Sequence, residues 1–496
     1  DRIFFLAGGR RRFSPARGAG DINLFPHPCR RLIRPRAADG RTVPGFPAAG
    51  RKGKVSSGQP IEKKMPFYGA SRGRRLDLPP CRDMACNQES DPVTVQNQWR
   101  RAPDTAELKA RFRPVFDRIA EGAVRREIDR SLAHEEIGWL KQAGFTALRV
   151  PVELGGAGAS LEQFFDLLID LAEADTNLAQ GLRSHFALVE DRLVAPRAEC
   201  EPWLRRFAAG EIAGNGWTEV GEVKLGDTIT KVTPQGGGFR VDGRKYYSTG
   251  TIYADWIDVY ATRSDDGAPV IALVAADQEG VQISDDWTGF GQKLTGTGTT
   301  VFDNARAEAV IPFEQRFRYQ TAFYQLVLNA TITGAALAAV RDAAALVARR
   351  KRAFSHGSGT EVRFDPQVLQ VIGKARALAY AARAATLEAA RAAQRAHDTA
   401  QGGDKAADDA ANIEAELQSA AAQVAAIELG LRAVTDVFDA LSASSTDQGL
   451  ALDRHWRNAR TAASHNPAIY KQRILGDHAV NGTEPVYVWQ IGAVAG

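Results

Sequence analysis

Two histidines lie in segments with a helical pattern, and histidine is the side chain best suited to proton transfer near neutral pH. His465 follows the segment RHWRNARTAAS of residues 454–464 and precedes Asn466. His185 lies within the segment RSHFALVED. An imidazole can accept or donate a proton, whereas the amide of Asn466 cannot accept one. His465 and His185 are therefore candidate catalytic residues, although a lone helical histidine is more often structural.

Aromatic, hydroxyl and amide side chains occur together in two segments that have the texture of strands. The segment GRKYYSTG contains Tyr247, Thr249 and Gly250, and the segment GNGWTE contains Asn215. Such side chains can stack on a planar cofactor ring and hydrogen-bond its polar edge. Tyr247, Thr249, Gly250 and Asn215 are therefore candidates to contact such a ring, and Thr249 and Asn215 are also candidate catalytic residues. The alternatives are an edge strand with a Ser-Thr-Gly turn and a turn-forming asparagine between glycines.

Two further segments could contribute to the same site. Residues 286–304 read DWTGFGQKLTGTGTTVFDN, and small residues there would leave room for a substrate. Residues 349–356 read RRKRAFSH, in which the guanidinium of Arg352 suits a phosphate group better than a lysine would. A solvated helix C-terminus also favours Lys and Arg, so this remains an alternative for Arg352.

The elements that must position these residues fall into three parts. Apolar residues recur at helical spacing over residues 97–208, and short β-branched or aromatic runs bounded by Gly, Asp and Pro fill residues 209–312. Ala-rich helical patterns return over residues 313–496. The sequence thus predicts an α+β protein with an N-terminal helical domain, a central antiparallel β-barrel domain and a C-terminal four-helix bundle.

The first 83 residues differ from the rest of the chain. They carry 19 Lys or Arg against 6 Asp or Glu, whereas the remaining residues carry 44 against 53. This basic, Gly- and Pro-rich segment lacks a core-forming pattern, so we expect it to be disordered and not native, with Met84 as the natural start. A transit peptide or a nucleic-acid-binding arm would explain it too, but aromatic interleaving is absent.

Composition narrows the class of protein further. The four cysteines show no metal-ligand spacing, and their usage is typical of a reduced, cytoplasmic protein. No apolar run approaches the roughly 20 residues of a membrane helix. We therefore expect no metal, no membrane and no nucleic-acid partner.

The segment around His465 resembles the last helix of the acyl-CoA dehydrogenase family, whose pattern is R-D-A-K, a five-residue spacer and the catalytic Glu of Y-E-G-T. Residues 457–460 fall on R-D-A-K, and His465 and Asn466 fall on Y-E. The dehydrogenase base is thus replaced by an amide. A histidine at this place resembles the flavin-dependent monooxygenases of the same fold, typified by dibenzothiophene monooxygenase, in which an aspartate stands where this chain has Asn466.

Other matches extend the resemblance over residues 97–496. Tyr247 and Thr249 fall on the Trp and Thr of the family strand G-x-K-x-W-I-T-N, which contact the flavin ring, and Arg352 falls on a basic segment at its phosphate. The resemblance implies that Asn215 lies near the pyrimidine side of the flavin. His185 falls where a helix passes the substrate pocket, and Asn466 counts with the flavin-binding residues.

The resemblance implies a two-component monooxygenase that takes reduced FMN (FMNH2) from a separate NAD(P)H-dependent flavin reductase and reacts it with O2. A flavin C4a-hydroperoxide would then oxygenate a small organic substrate, with an organosulfur compound favoured. The family's bundle implies a homotetramer. No G-x-G-x-x-G fingerprint follows a strand, so the chain is not expected to bind NAD(P)H itself.

Two alternatives of different classes stay open. One is an acyl-CoA dehydrogenase-type FAD oxidoreductase whose base comes from another helix. The other is an interaction protein that uses its basic N-terminal segment and binds nucleic acid in a salt-sensitive way.

Overall fold

The computed structural model describes residues 103–220 and 228–487, so the predicted extension over residues 1–83 lies outside the described part of the chain. The helices are α1 Thr105–Asp129, α2 His134–Ala143, α3 Leu161–Ala174, α4 Thr176–Gly181, α5 Arg183–Val194, α6 Arg197–Ala208, α7 Gln320–Arg349, α8 Pro366–Thr399, α9 Lys405–Asp436, α10 Arg454–Ser464 and α11 Ala468–Asn481. The strands are β1 Ala213–Gly216, β2 Lys231–Gln235, β3 Gly238–Ser248, β4 Trp256–Arg263, β5 Pro269–Ala275, β6 Val281–Ile283 and β7 Gly298–Pro312.

The N-terminal helices form because strong local signals agree with an apolar stripe. In α3, Ser160 caps the helix by accepting a hydrogen bond from the Gln163 backbone, and the Gln163 side chain accepts from Ser160 N in return. The stripe of Leu161, Phe164 and Leu168 is fully buried. These helices share one apolar core with α7 and α8, so the two helical parts pack together rather than as separate domains.

The central part of the chain is a mixed sheet, not a purely antiparallel one. Strand pairings join β4, β2, β3, β7 and β5 in a closed ring, with β1 added beside β4 and β6 beside β7. The pairings β1–β4 and β2–β4 are parallel, whereas the others are antiparallel. The prediction of an antiparallel barrel is therefore wrong for these two pairings. The hairpin of β2 and β3 lies between β1 and β4 in the sequence, so the chain can cross over and β4 can run in the same direction as β1 and β2.

The C-terminal bundle is built around α7. This helix is long and apolar enough to cross a membrane by length and composition, but 89% of that apolar stretch is buried inside the protein. Helices α8, α9 and α10 pack on it, and α11 packs on α9. The helical bundle of the prediction is thus present, with α11 as a further helix.

A buried arginine joins the three parts of the fold. Arg316 lies between the sheet and α7, and its Nη1 donates to Asp258 of β4 at 3.2 Å. Its Nε lies 3.9 Å from an oxygen of Asp191 in α5. All three side chains are fully buried. A buried charge is tolerated only when paired, so this cluster fixes α5 and β4 relative to the start of α7.

We predict that Arg316→Met lowers the free energy of unfolding by about 3–5 kcal/mol, because it leaves Asp258 buried without a cation and Asp191 paired with Arg192 alone. Urea or thermal unfolding measures the loss. Arg318→Met is the control, since Arg318 pairs with Asp408 and Asp409 but is 44% exposed. It should cost about 1 kcal/mol or less. Equal losses in the two variants would contradict the role of Arg316.

Candidate functional site

Two glycines make close backbone contacts at the turn after β3. A Cβ at Gly250 would lie 2.2 Å from the carbonyl oxygen of Gly181, and Gly250 has a φ of +78°. A Cβ at Gly214 would lie 2.5 Å from the backbone of Thr251. Only glycine tolerates such contacts and this left-handed conformation. The junction of α4 and α5 therefore lies directly against the turn after β3.

Asn215 and Thr249, two of the predicted site residues, contact each other at this turn. The Thr249 backbone N–H donates to Asn215 Oδ1 at 3.1 Å, and the Asn215 N–H donates to the Thr249 carbonyl at 3.1 Å. Thr297 Oγ1 donates to Thr249 Oγ1 at 3.1 Å, and Thr295 lies 2.6 Å farther along. The Asn215 amide nitrogen has no hydrogen-bond acceptor among the described residues. It is thus free to bind a ligand.

Tyr247 presents an aromatic ring beside this turn. Its side chain is exposed, and its ring contacts that of Trp287 edge to face at a centroid distance of 5.8 Å. Its backbone φ is +54°, which is rare for a large residue and directs the side chain out of the regular strand. An exposed ring, a hydroxyl and a free amide fit one edge and one face of a planar heterocycle.

Helix α10 is anchored at its start and in its middle. At its start, Arg454 Nη2 and His455 Nε2 lie 2.7 and 2.9 Å from the Asp342 carboxylate of α7. Burial alone would raise the pKa of Asp342, but the hydrogen bond from His455 and the charges of Arg454 and Arg341 lower it. In the middle, Asn458 Oδ1 accepts from the Gln292 backbone at 2.7 Å. These bonds hold α10 against both α7 and the loop that contains Gln292 and precedes β7.

A directed chain of hydrogen bonds starts at His465, which follows α10. Arg183 Nη1 lies 3.1 Å from His465 Nε2, and His465 Nδ1 lies 3.3 Å from Asn466 Oδ1. Asn466 Nδ2 donates to Gln325 Oε1 at 2.8 Å, and Gln325 Nε2 donates to Asn329 Oδ1 at 3.0 Å. A guanidinium can only donate, so the chain assigns the ring proton to Nδ1.

His465 is therefore a neutral imidazole at pH 7. Desolvation and the positive charge of Arg183 lower the pKa of His465 below its usual value. The residue as a whole is exposed, and its Nε2 faces the Arg183 guanidinium. An amide at Asn466 cannot stabilise an imidazolium as a carboxylate would.

His185 is placed differently. It is fully buried, its Nε2 lies 2.8 Å from the Thr146 carbonyl oxygen, and its Nδ1 accepts from the Ala213 backbone at 3.4 Å. Burial lowers the pKa of His185 to about 4. Both ring nitrogens are thus occupied by backbone groups, which favours a role in holding β1 against α5. The catalytic role predicted for His185 stays a prediction.

Arg352 lies in the exposed segment that follows α7. In the part of the chain that the structure describes, no contact joins its side chain to Asn215, Thr249 or His465. Its predicted phosphate-binding role stays a prediction.

Sequence reasoning missed Arg183 as a functional residue. The buried end of this side chain contacts His465, stacks 4.5 Å above the Tyr324 ring and donates from Nε to the Tyr324 carbonyl at 3.1 Å. One sequence signal could have identified Arg183. Residues 179, 180, 186 and 187 lie three or four positions from it, and none of them is an Asp or Glu that could pair with its charge.

Comparisons with known proteins agree with this architecture. Residues 326–468 match the family described as acyl-CoA dehydrogenase, C-terminal domain. Dibenzothiophene monooxygenase of Mycolicibacterium goodii is 27% identical over 80% of this chain and 98% of its own. A probable FMNH2-dependent monooxygenase, SfnC of Pseudomonas putida, is 26% identical over 75% of this chain and 94% of its own. The solved structure of methanesulfinate monooxygenase MsuC from Pseudomonas fluorescens has a TM-score of 0.68 and 26% identity, covering 76% and 98% of the chains.

The chain therefore has the acyl-CoA dehydrogenase fold. Within that fold it resembles flavin-dependent monooxygenases whose names refer to sulfur compounds, which confirms the predicted resemblance.

We predict that Gly250→Ala destabilises the protein by roughly 2–4 kcal/mol, because a Cβ would strain a left-handed residue and strike the Gly181 carbonyl. Gly373→Ala in α8 is the control, since no atom lies within 4 Å of the added Cβ there. It should stabilise by ~0.5–1 kcal/mol. The difference between the two unfolding free energies tests whether the helix junction and the turn are in contact.

Proposed function

We propose that the protein is a two-component monooxygenase that uses FMNH2 and O2 to oxygenate a small organosulfur compound. The observation that carries this proposal is the residue pair after α10, where a neutral His465 and an amide replace a carboxylate base. α-Proton abstraction from an acyl-CoA needs such a base, so the FAD-dependent dehydrogenase is the less favoured alternative. The names of the relatives support the monooxygenase.

The residues of the turn after β3 fit a flavin ring. Tyr247 would pack on the ring face, Thr249 and the backbone of Gly250 would bind its reactive edge, and the free amide nitrogen of Asn215 would bind its pyrimidine side. Bound FMNH2 would supply the two electrons that reduce O2, so that one oxygen atom enters the substrate and the other leaves as water. FAD remains the alternative cofactor.

His465 would control the proton at the reacting oxygen. The Nδ1–H of the neutral ring donates to Asn466 Oδ1. Asn466 is held by Gln325, so the ring keeps one orientation. Arg183 opposes protonation of Nε2, so the ring would stay neutral. It would then have no extra proton to give to the oxygen before the substrate reacts. Reduced flavin and oxygen would otherwise be lost as hydrogen peroxide.

The remaining partners are part of the proposal. FMNH2 would come from a separate NAD(P)H-dependent flavin reductase in the cytoplasm. We also propose a homotetramer, supported by large exposed apolar side chains on α8 and α11, namely Tyr380, Ile469, Tyr470 and Val480. In the homotetramer, Arg352 of one copy would bind the phosphate of a flavin held by another copy.

The proposed function is tested with the full chain, FMN, NADH, a flavin reductase and a panel of sulfides, sulfoxides, sulfinates and sulfones. Mass spectrometry should detect a product that gains one oxygen atom from 18O2. Reduction of bound flavin by an acyl-CoA, with no oxygenated product from the panel, would support the dehydrogenase instead.

In the same assay, we predict that His465→Phe lowers product formation by about 100-fold and releases more hydrogen peroxide per FMNH2 oxidised, because the proton-controlling ring is lost. FMN binding should persist. His478→Phe, which changes a histidine of α11 away from the site, is the control. Unchanged coupling of flavin oxidation to product in His465→Phe would argue against this role.

We also predict that Arg352→Ala raises the FMN dissociation constant by about 10- to 100-fold, since a charge-assisted phosphate contact is lost. Riboflavin, which lacks the phosphate, should bind both proteins alike. Lys351→Ala is the matched control on the adjacent exposed residue. If riboflavin and FMN binding weaken equally in Arg352→Ala, the phosphate is held elsewhere.

A further inference from the structure

Arg183 is a buried cation without a carboxylate partner. Its residue is 8% exposed, yet no Asp or Glu lies within salt-bridge distance of it among the described residues. The other buried arginines of the same layer are paired: Arg149 binds both oxygens of Glu190, and Arg316 binds Asp258. Buried charges without a partner are rare, so this one calls for a counterion from outside the chain.

The Arg183 guanidinium has N–H donors that no acceptor among the described residues binds. Nε donates to the Tyr324 carbonyl at 3.1 Å, and Nη1 lies 3.1 Å from His465 Nε2. Nη2 has no hydrogen-bond acceptor in the described ranges. Arginine has five N–H donors in a planar fork, which matches the two oxygens of an oxyanion. Burial without a carboxylate lowers the pKa of Arg183 to about 10, but the group remains charged at pH 7.

Two more buried polar side chains lie within one helical turn of Arg183. Gln180 and Ser184 stand three residues before and one residue after Arg183, within one turn across the α4–α5 junction. Both are more than nine-tenths buried, and neither Gln180 Oε1 nor Ser184 Oγ has a hydrogen-bond partner in the described structure. A serine hydroxyl can donate to an anion, and a glutamine amide can turn its nitrogen toward one.

The position of Arg183 relates these side chains to the reacting centre. Gly181, two residues earlier, touches the turn that carries Thr249 and Gly250, and the guanidinium itself touches His465. A group bound to Arg183 would therefore lie between the flavin-binding turn and the imidazole. The Tyr324 ring, 4.5 Å beneath the guanidinium, reduces access of water on that side.

We infer that Arg183 binds an anionic group of the substrate, so that the enzyme prefers an organosulfur acid, such as a sulfinate, to a neutral sulfur compound. The inference rests on the proposed function. For a sulfinate, the S–O bond that forms makes a sulfonate: RSO2⁻, O2 and FMNH2 give RSO3⁻, FMN and water. The sulfur is oxidised by two electrons and FMNH2 by two more, which together reduce O2.

The test compares two substrates of nearly equal shape. Benzenesulfinate and methyl phenyl sulfoxide differ only by an anionic oxygen in place of a methyl group, and each can gain one oxygen. We expect the wild type to have a kcat/KM at least about tenfold higher for the sulfinate. Arg183→Gln should lower it about 30-fold or more, mainly through KM, and should lower the sulfoxide value much less, so that the preference for the sulfinate is lost.

Binding is measured separately from turnover. Isothermal titration with benzenesulfonate, which needs no oxygen or reduced flavin, should show binding to wild type and about 30-fold weaker binding to Arg183→Gln. Arg376→Gln, on the exposed face of α8, is the charge-matched control and should bind like wild type. Arg183→Lys keeps the charge but not the fork, so it should lie between.

The outcomes separate the two ideas. Benzenesulfonate binding that depends on Arg183, without oxygenation of either compound, supports the anion site and contradicts the proposed function. Oxygenation with no preference for the sulfinate, or with equal losses for both substrates in Arg183→Gln, overturns the anion site alone. Should Arg183→Gln fail to fold, the wild-type preference and Arg183→Lys decide between these results.

Discussion

The close backbone contact between the α4–α5 junction and the turn after β3 is the constraint on which the site depends. It brings the helical layer into van der Waals contact with the sheet, and it is possible because Gly250 lacks a Cβ, which would lie 2.2 Å from the Gly181 carbonyl oxygen. Everything near the proposed flavin edge follows from it. Asn215 and Thr249 come from the sheet side, and Arg183 comes from the helix side.

Charge pairing distinguishes the buried arginine that stabilises the fold from the buried arginine that belongs to the site. Arg316 is held between Asp191 and Asp258, and although burial opposes it, these carboxylates raise the pKa of Arg316. Arg183 lies in the same layer with an aromatic ring and an imidazole instead of carboxylates. The first arginine is internally neutralised and belongs to the fold. The second leaves an uncompensated charge where a ligand could bind.

Much of this arrangement could be predicted from local sequence, and its limits have physical causes. The hydrogen bonds between Thr249 and Asn215, which are 34 residues apart, were not predicted. Helical periodicity is local, so the helices were predictable. Strand direction depends on long-range pairing, so the parallel β1–β4 contact was not. Nor does sequence show which buried arginine lacks a partner, because Asp258 lies 58 residues from Arg316.

The amide at Asn466 decides the electrostatics of the whole centre. A carboxylate at that position would pair with His465 and partly neutralise Arg183, so the centre would have little need for an external anion. With an amide there, the hydrogen-bond chain from Arg183 through His465 and Asn466 to Gln325 passes only through neutral acceptors. The net charge of this group is then positive. A bound anion would offset both the desolvation of Arg183 and its repulsion of a protonated His465, so the residue that removes dehydrogenase chemistry also favours an anionic substrate.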